Sequence, residues 1–212
     1  MAVVFDAASS GSTTGTTLTV SHTIAAGNNR ILLVGQGARS NNHTITSMTY
    51  AGQAMTLLEE LLPVSGWMRL YYLKNPPVGT ADIVSVIDQS INHVQASASY
   101  SGVDQVTTFD VTGTDQDDVG SGTGSLSLTT TKDNDWIVAV VVDNTEAQSA
   151  ATGTTQRATD GTNMRIGFYD NNVSLTPAGT FSIGFELASP QTWGIIGTTL
   201  IQALVTPQMN VV

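Results

Sequence analysis

The sequence predicts an all-β fold, a single jelly-roll-like antiparallel β-sandwich, and three observations predict it. Apolar and polar residues alternate at period two in several segments, and turn residues separate those segments. Helical spacing is absent apart from a weak stretch at 55–62 that fits a strand and loop equally well. A chain of 212 residues suits one large sandwich. We therefore expect one domain over 1–212, with its core at 29–204 and adhesive terminal segments at 1–16 and 205–212.

Three segments, at 94–100, 164–169 and 181–187, show the clearest alternation. In the first, the apolar side chains from Val94 to Tyr100 are expected to cover a core. Gln95, Ser97 and Ser99 lie between them and are predicted to point to the opposite face of the strand, away from that core.

Two other segments, 31–34 and 136–142, are continuous apolar runs. Such runs are typical of central strands that are covered on both faces. We expect the opposing sheet to cover one face and long loops or a partner protein to cover the other.

Turn residues interrupt the strands in the order that an antiparallel fold requires. Ala51-Gly52-Gln53 predicts a hairpin turn, and the double proline in 76–79 predicts the end of an aromatic strand. Segments 132–135, 170–172 and 177–179 are predicted to act in the same way. The Ser/Thr/Gly-rich segments 9–17 and 120–127 are either low-complexity sequence or exposed strand and loop, and the second is expected to lead from a loop into a strand.

Composition excludes several classes of function. The net charge is -10 with only seven Lys and Arg residues, which argues against a nucleic-acid partner. The absence of cysteine excludes disulfides, thiolate zinc sites and thiol nucleophiles. No apolar segment is long enough to cross a bilayer, and Met1 does not begin a recognisable secretory signal. Only 11% of residues are charged, a surface typical of an exterior protein, so we expect assembly in a host cytoplasm and release by lysis.

No catalytic constellation stands out, and we predict neither an enzyme nor a cofactor. The histidines His22, His43 and His93 lie far apart in polar contexts without metal-ligand spacing, and they are predicted to be exposed. Neither a Gly-x-Ser-x-Gly nor a His-Glu-x-x-His motif is present. The glutamates are expected on solvated faces, namely Glu59, Glu60, Glu146 and Glu186.

Two binding alternatives stay open. Acidic and amide side chains at 115–118, 143–146 and 170–172 offer oxygen ligands for calcium, although turn chemistry explains the same residues. A sugar-binding platform would use Trp67, Tyr71 and Tyr72, of which the two tyrosines must face opposite ways on a strand. Trp136 and Trp193 lie in apolar segments and are expected in the core.

A longer series of segments resembles a known family. The series comprises 29–34, 48–56, Trp67 with 70–80, 100–105, the strand that begins at Trp136, 155–157 and the strand that contains Trp193. It resembles jelly-roll β-sandwich domains of bacteriophage virion proteins, including capsid decoration proteins, which are also found in bacterial surface proteins. The resemblance covers about 29–204, and it implies display on a particle or surface without supplying binding residues.

The predicted function is therefore a phage virion structural protein, of the capsid decoration or cement type, on the capsid exterior. Its expected partners are the major capsid protein and copies of itself, with a homotrimer favoured, and neither a nucleic acid nor a membrane. The alternative is a carbohydrate-binding module of a tail fibre or cell-surface protein. Partner contacts are expected from apolar residues near the chain ends, namely Val3, Val4, Phe5, Pro207, Met209, Val211 and Val212.

Overall fold

The computed structural model describes residues 1–40, 43–63 and 66–204. These residues form an all-β sandwich of two antiparallel sheets, which confirms the predicted fold class. The strands are β1 (Val4–Ile24), β2 (Ile31–Ala38), β3 (Ile45–Tyr50), β4 (Gln53–Ala54), β5 (Thr56–Leu61), β6 (Trp67–Lys74), β7 (Gly79–Ser101), β8 (Phe109–Thr129), β9 (Trp136–Asp143), β10 (Gln148–Ala150), β11 (Thr155–Asp160), β12 (Arg165–Asp170) and β13 (Thr180–Leu200). The described ranges contain no helix that could span a membrane.

Apart from the short strand β4, which pairs with β3 in the first sheet only, the two sheets have the same strand order. In the first sheet β7 lies between β1 on one side and β2 and β3 on the other, and β6 and β5 continue beyond β2. In the second sheet β13 lies between β8 and the pair β9 and β10, and β12 and β11 continue beyond β9. The chain is thus a tandem repeat, with a first half at 4–101 and a second half at 109–200.

Irregularities also recur at equivalent positions in the halves. Pairing of the last strand with the first breaks between residues 86 and 91 in β7 and between 186 and 191 in β13. Bulges lie at 57–59 in β5 and at 156–158 in β11. Asn29 and Asn134, at the turns before β2 and β9, both have positive φ, which asparagine tolerates well.

Each sheet folds back over its own outer face, so the molecule has three apolar layers. One cluster lies inside the first half and includes Leu32, Tyr50 and Ile83. Another lies inside the second half and includes Ile137 and Phe185. The third and largest lies between the halves.

This folding explains the continuous apolar runs at 31–34 and 136–142. Within 31–34, Ile31 and Leu33 face the other half, whereas Leu32 and Val34 face the interior of their own half. Both faces are covered, as predicted, but the second cover is the bent part of the same sheet. The expectation of long loops or a partner protein in that position is wrong.

Glycine and valine meet where β2 crosses β9. A Cβ atom at Gly35 would lie 2.5 Å from Cγ1 of Val140, and one at Gly37 would lie 2.9 Å from Cγ1 of Val142. Strand pairing makes Gly35 the equivalent of Val140, because Ile31 pairs with Tyr100 as Trp136 pairs with Leu200. Equivalent strands thus face each other across the interface, as in an isologous dimer.

The predicted turns are confirmed, whereas the N-terminal segment differs from the expectation. Ala51 and Gly52 both have positive φ and join β3 to β4 as a two-residue hairpin. Residues 4–16, expected to be an adhesive terminal segment outside the core, belong to β1 and pair with β7. Segments 9–17 and 120–127 are likewise strand residues.

Candidate functional site

A layer of polar side chains lies inside the first half. We call it the polar layer, and it comprises Gln36 on β2, Trp67 and Arg69 on β6, Ser85, His93 and Gln95 on β7, and His43 before β3. Gln36 pairs directly with Gln95 on one side and with Arg69 on the other. Ser85 lies two residues from the buried Ile83, on the part of β7 that folds over the layer.

The polar layer is buried. Gln36, Gln95 and His93 are each 0% exposed, and only Trp67 is half-buried. Across the described residues, nine buried polar atoms of this layer have no hydrogen-bond partner in the protein. They are Gln36 Oε1, His43 Nε2, Trp67 Nε1, Arg69 Nη1, Ser85 Oγ, His93 Nδ1 and Nε2, and Gln95 Nε2 and Oε1. Unpartnered buried polar groups are costly and infrequent in folded proteins.

The rim of the layer carries its charge. Arg69 Nε donates to Glu60 Oε2 over 2.7 Å, and the guanidinium stacks 3.5 Å from the centre of the Trp67 ring. His43 meets the same indole edge-on at 4.8 Å. Because a carbonyl oxygen only accepts, His43 Nδ1 must donate to Ser40 O, 2.7 Å away. In neutral His43 the Nε2 atom is therefore unprotonated, and it can accept a hydrogen bond from the interior.

His22 belongs to a separate and fully satisfied network. Ser99 Oγ donates to Asp6 Oδ2, so it must accept from His22 Nε2, and Ser9 Oγ lies 2.9 Å from His22 Nδ1. The Ser9 hydroxyl and the imidazole thus lie in series as around a nucleophilic serine, but the Asp6 carboxylate reaches the imidazole only through the Ser99 hydroxyl. Burial, however, lowers the pKa of His22 to about 4, far from that of an effective base at neutral pH. The arrangement supports a structural role.

The prediction of exposed histidines is wrong. His22, His43 and His93 are 2%, 2% and 0% exposed. Their sequence neighbours are polar because the polar face of β7 points into the first half. Period-two alternation predicts one buried and one solvated face, but Gln95, Ser97 and Ser99 are buried as well. The sequence signal was the cluster of uncharged polar residues, with no Lys or Glu, on that face.

At four of the equivalent positions the second half has apolar residues. The strand pairing equates Gln36 with Val141, Gln95 with Ile195 and His93 with Trp193. Phe185 occupies the place of Ser85 and meets Trp193 edge-on at 5.2 Å. The buried polar groups that remain there are partnered: Tyr169 donates to Gln148 Oε1, and Gln148 Nε2 donates to Asp143.

A carboxylate pair lies near the start of the second half. Asp135 is 0% exposed. Its burial, with the neighbouring Asp110 carboxylate as a second cause, raises its pKa to about 7. Asp110 accepts from both the backbone N–H and the hydroxyl of Thr131, which helps to keep it ionised. The pair therefore carries one proton as the pH falls below about 7.

The segments considered for calcium do not all converge, because 115–118 and 143–146 begin on the two strands that flank Trp193 whereas 170–172 lies elsewhere. Asp143 and Asp170 lie at opposite ends of the paired strands β9 and β12, and Asp170 is held by Arg157 and Tyr100. Within the described ranges, no three His, Cys, Asp or Glu side chains are grouped so as to hold a metal ion.

The predicted aromatic platform is dispersed. Tyr71 and Tyr72 face opposite ways, as expected, with Tyr71 inside the first half and Tyr72 against the layer between the halves. Trp67 packs under Arg69 in the polar layer. Trp136 and Trp193 are 6% and 5% exposed, which confirms their prediction as core residues.

A second candidate site is the surface where the chain ends meet the connection between the halves. The Met1 ammonium donates to Ala203 O over 2.6 Å, and Val103 bridges to Gln202. A groove of about 550 Å³ lies here and is lined by Asp104, Thr107, Lys132, Asp133, Asn134, Ile201, Gln202 and Leu204. We call this region the chain-end surface.

The predicted partner residues divide into three groups. Val3 is 2% exposed and packs into the core, so it is not available to a partner. Phe5 packs on Tyr100 and under Arg157, whereas Val4 is 53% exposed. Pro207, Met209, Val211 and Val212 lie outside the described residues. Sequence reasoning missed Val106 and Leu204, which are 90% and 87% exposed.

Comparison with known proteins adds no assignment. No family model, no curated protein and no solved structure matches this chain.

Proposed function

We propose that this chain is a phage virion structural protein of the capsid decoration type, which binds an assembled shell and acts by adhesion without turnover. The observation that supports this proposal is the chain-end surface, where Val106 and Leu204 are almost fully exposed beside a groove. Exposed apolar residues around a groove are typical of protein contacts. The resemblance to phage virion domains supports the choice of particle.

The remaining surface suits such a role. Exposed hydroxyls pair across strands, as between Thr23 and Thr80, Ser127 and Ser182, and Thr129 and Thr180, each at 2.8 Å. These pairs satisfy one another, so the surface needs few charges. We propose the major capsid protein and further copies of the chain, as a homotrimer, as partners.

The test uses particles that lack the protein, to which the protein is added back. Leu204→Asp and Val106→Asp are expected to abolish retention on the particles, because a carboxylate at a buried contact is strongly disfavoured. Val119→Asp is the matched control, since Val119 is 96% exposed on β8. The readout is co-sedimentation, followed by the heat resistance of the particles, which a cement protein raises by binding the assembled state.

Two results would contradict the proposal. Decoration of particles by both chain-end variants as full as that of the control would exclude this surface. Normal heat resistance of particles without the protein, together with failure of those particles to adsorb to host cells, would favour the carbohydrate-binding alternative.

A further inference from the structure

We infer that the polar layer of the first half is a built hydration site, which holds a small cluster of ordered water molecules inside the sandwich. The inference concerns the interior of the protein and is independent of the proposed function.

The polar layer contains both hydrogen-bond donors and hydrogen-bond acceptors. Its unpartnered atoms include donors, Trp67 Nε1 and Arg69 Nη1, and acceptors, Gln36 Oε1 and the bare His43 Nε2. The charge of Arg69 is balanced by Glu60. A site that is neutral, and that needs donors and acceptors at once, suits water, which supplies both. A bound anion would leave the acceptors unsatisfied, and a cation would face the guanidinium.

The tandem repeat allows the polar layer to be compared with the equivalent positions of the second half. At the same positions the second half has Val141, Ile195, Trp193 and Phe185, which fill the interior with hydrocarbon. The first half replaces Phe185 with Ser85 and Trp193 with His93, which are both smaller. The two changes place hydrogen-bonding groups where the second half has rings, and Arg69 adds donors at the position of Gly167; convergent polar groups of this kind are a condition for an internal water.

The number of waters follows from the number of unpartnered atoms. An internal water typically makes about three hydrogen bonds, so nine unpartnered atoms correspond to about three waters. Direct pairing of Gln36 with Gln95 satisfies only part of the layer, because both nitrogens of His93, Ser85 Oγ and Trp67 Nε1 remain.

The experiment counts long-lived internal waters by magnetic relaxation dispersion of water in solutions of the purified protein. The variant is Gln36→Val with Gln95→Ile, which gives the first half the residues of the second. We expect it to lose at least one long-lived water relative to the unaltered protein. Gln53→Val, an exposed amide on β4, is the matched control and is expected to keep the full number.

An unchanged count in the double variant would overturn the inference. If that variant fails to fold, a crystal structure of the unaltered protein at better than about 1.5 Å decides. Two or more waters bonded to the layer would support the inference. Side chains paired only with one another, or an ion or organic solute in their place, would refute it.

Discussion

The first half of the molecule encloses Gln36 and Gln95 where the second half, with the same strand pairing, encloses Val141 and Ile195. Both interiors lie beneath the same bent part of a sheet, and the bend falls at residues 87–90 in one half and 187–190 in the other. Strand order and bending are therefore the same whether the positions of Gln36 and Gln95 hold polar or apolar residues. The apolar layer that both halves share is the one between them.

The layer between the halves and the polar layer contribute to the fold in different ways. The layer between the halves carries large apolar residues from both, such as Leu70 and Phe168, and burial of these side chains supplies most of the driving force. In the interior of the first half the polar layer lies beside the apolar cluster of Leu32, Tyr50 and Ile83, and hydrogen bonds contribute less to stability than such burial and more to specificity of packing.

The largest effect is expected when the second half is made to resemble the first. Phe185→Ser removes a 0% exposed ring that contacts Trp193, and should cost about 3–5 kcal/mol of unfolding free energy. Chemical denaturation measures it. Phe181→Ser, on the same strand but half-buried, is the control and should cost less. Equal costs would mean that the interior of the second half is not tightly packed.

A smaller effect is expected at the contact between the halves. Gly35→Val places methyl groups against Val140, and should cost about 1–3 kcal/mol through overpacking. Because the two positions are equivalent, adding Val140→Gly exchanges the residues across the interface and should restore part of that loss. The coupling is measured with a double-mutant cycle in denaturant. Strict additivity of the two changes would count against the crossing of β2 and β9 described above.

The smallest net effect is expected from pH, because the halves respond with opposite sign. Burial lowers the pKa of His22 and His93 to about 4, so the unfolded chain binds protons first and stability falls as pH drops from about 6.5 to about 4. Asp135, with its pKa raised to about 7 by burial and Asp110, loses its contribution as pH rises from about 4 to about 7.

Hydrogen exchange of individual segments resolves the two responses. At pH 5, relative to pH 7, protection is expected to fall in β1 and β7 and to hold or rise around Asp135. A variant that combines His22→Gln with His93→Gln should lose the acid response of the first half. A uniform change across both halves would show that these groups do not set the local pH dependence.

The sequence predicted the strands and turns well, because period-two alternation and residues such as Gly52 and Pro77 act locally. It did not reveal the tandem repeat. The repeat is carried by strand pairing, and equivalent residues such as Ser85 and Phe185 share no chemistry. The polar layer was missed for a related reason: alternation shows that Gln95 and Val94 face opposite ways, but not that β7 bends and buries both faces.

The hydrogen bond from the Met1 ammonium to Ala203 O brings residues 1 and 203 together. With residue 1 beside residue 203, and the halves connected at 102–108 on the same side of the molecule, the backbone path is close to a ring. A chain opened between Asp104 and Phe109 and joined by a short linker from residue 204 to residue 1 would present the second half first. Such a circular permutant is expected to keep each strand and each pairing when the new ends are placed at Val106 and Thr107, because these two residues are the exposed part of the connection. The order in which the two halves are encoded is therefore separable from the way they pack.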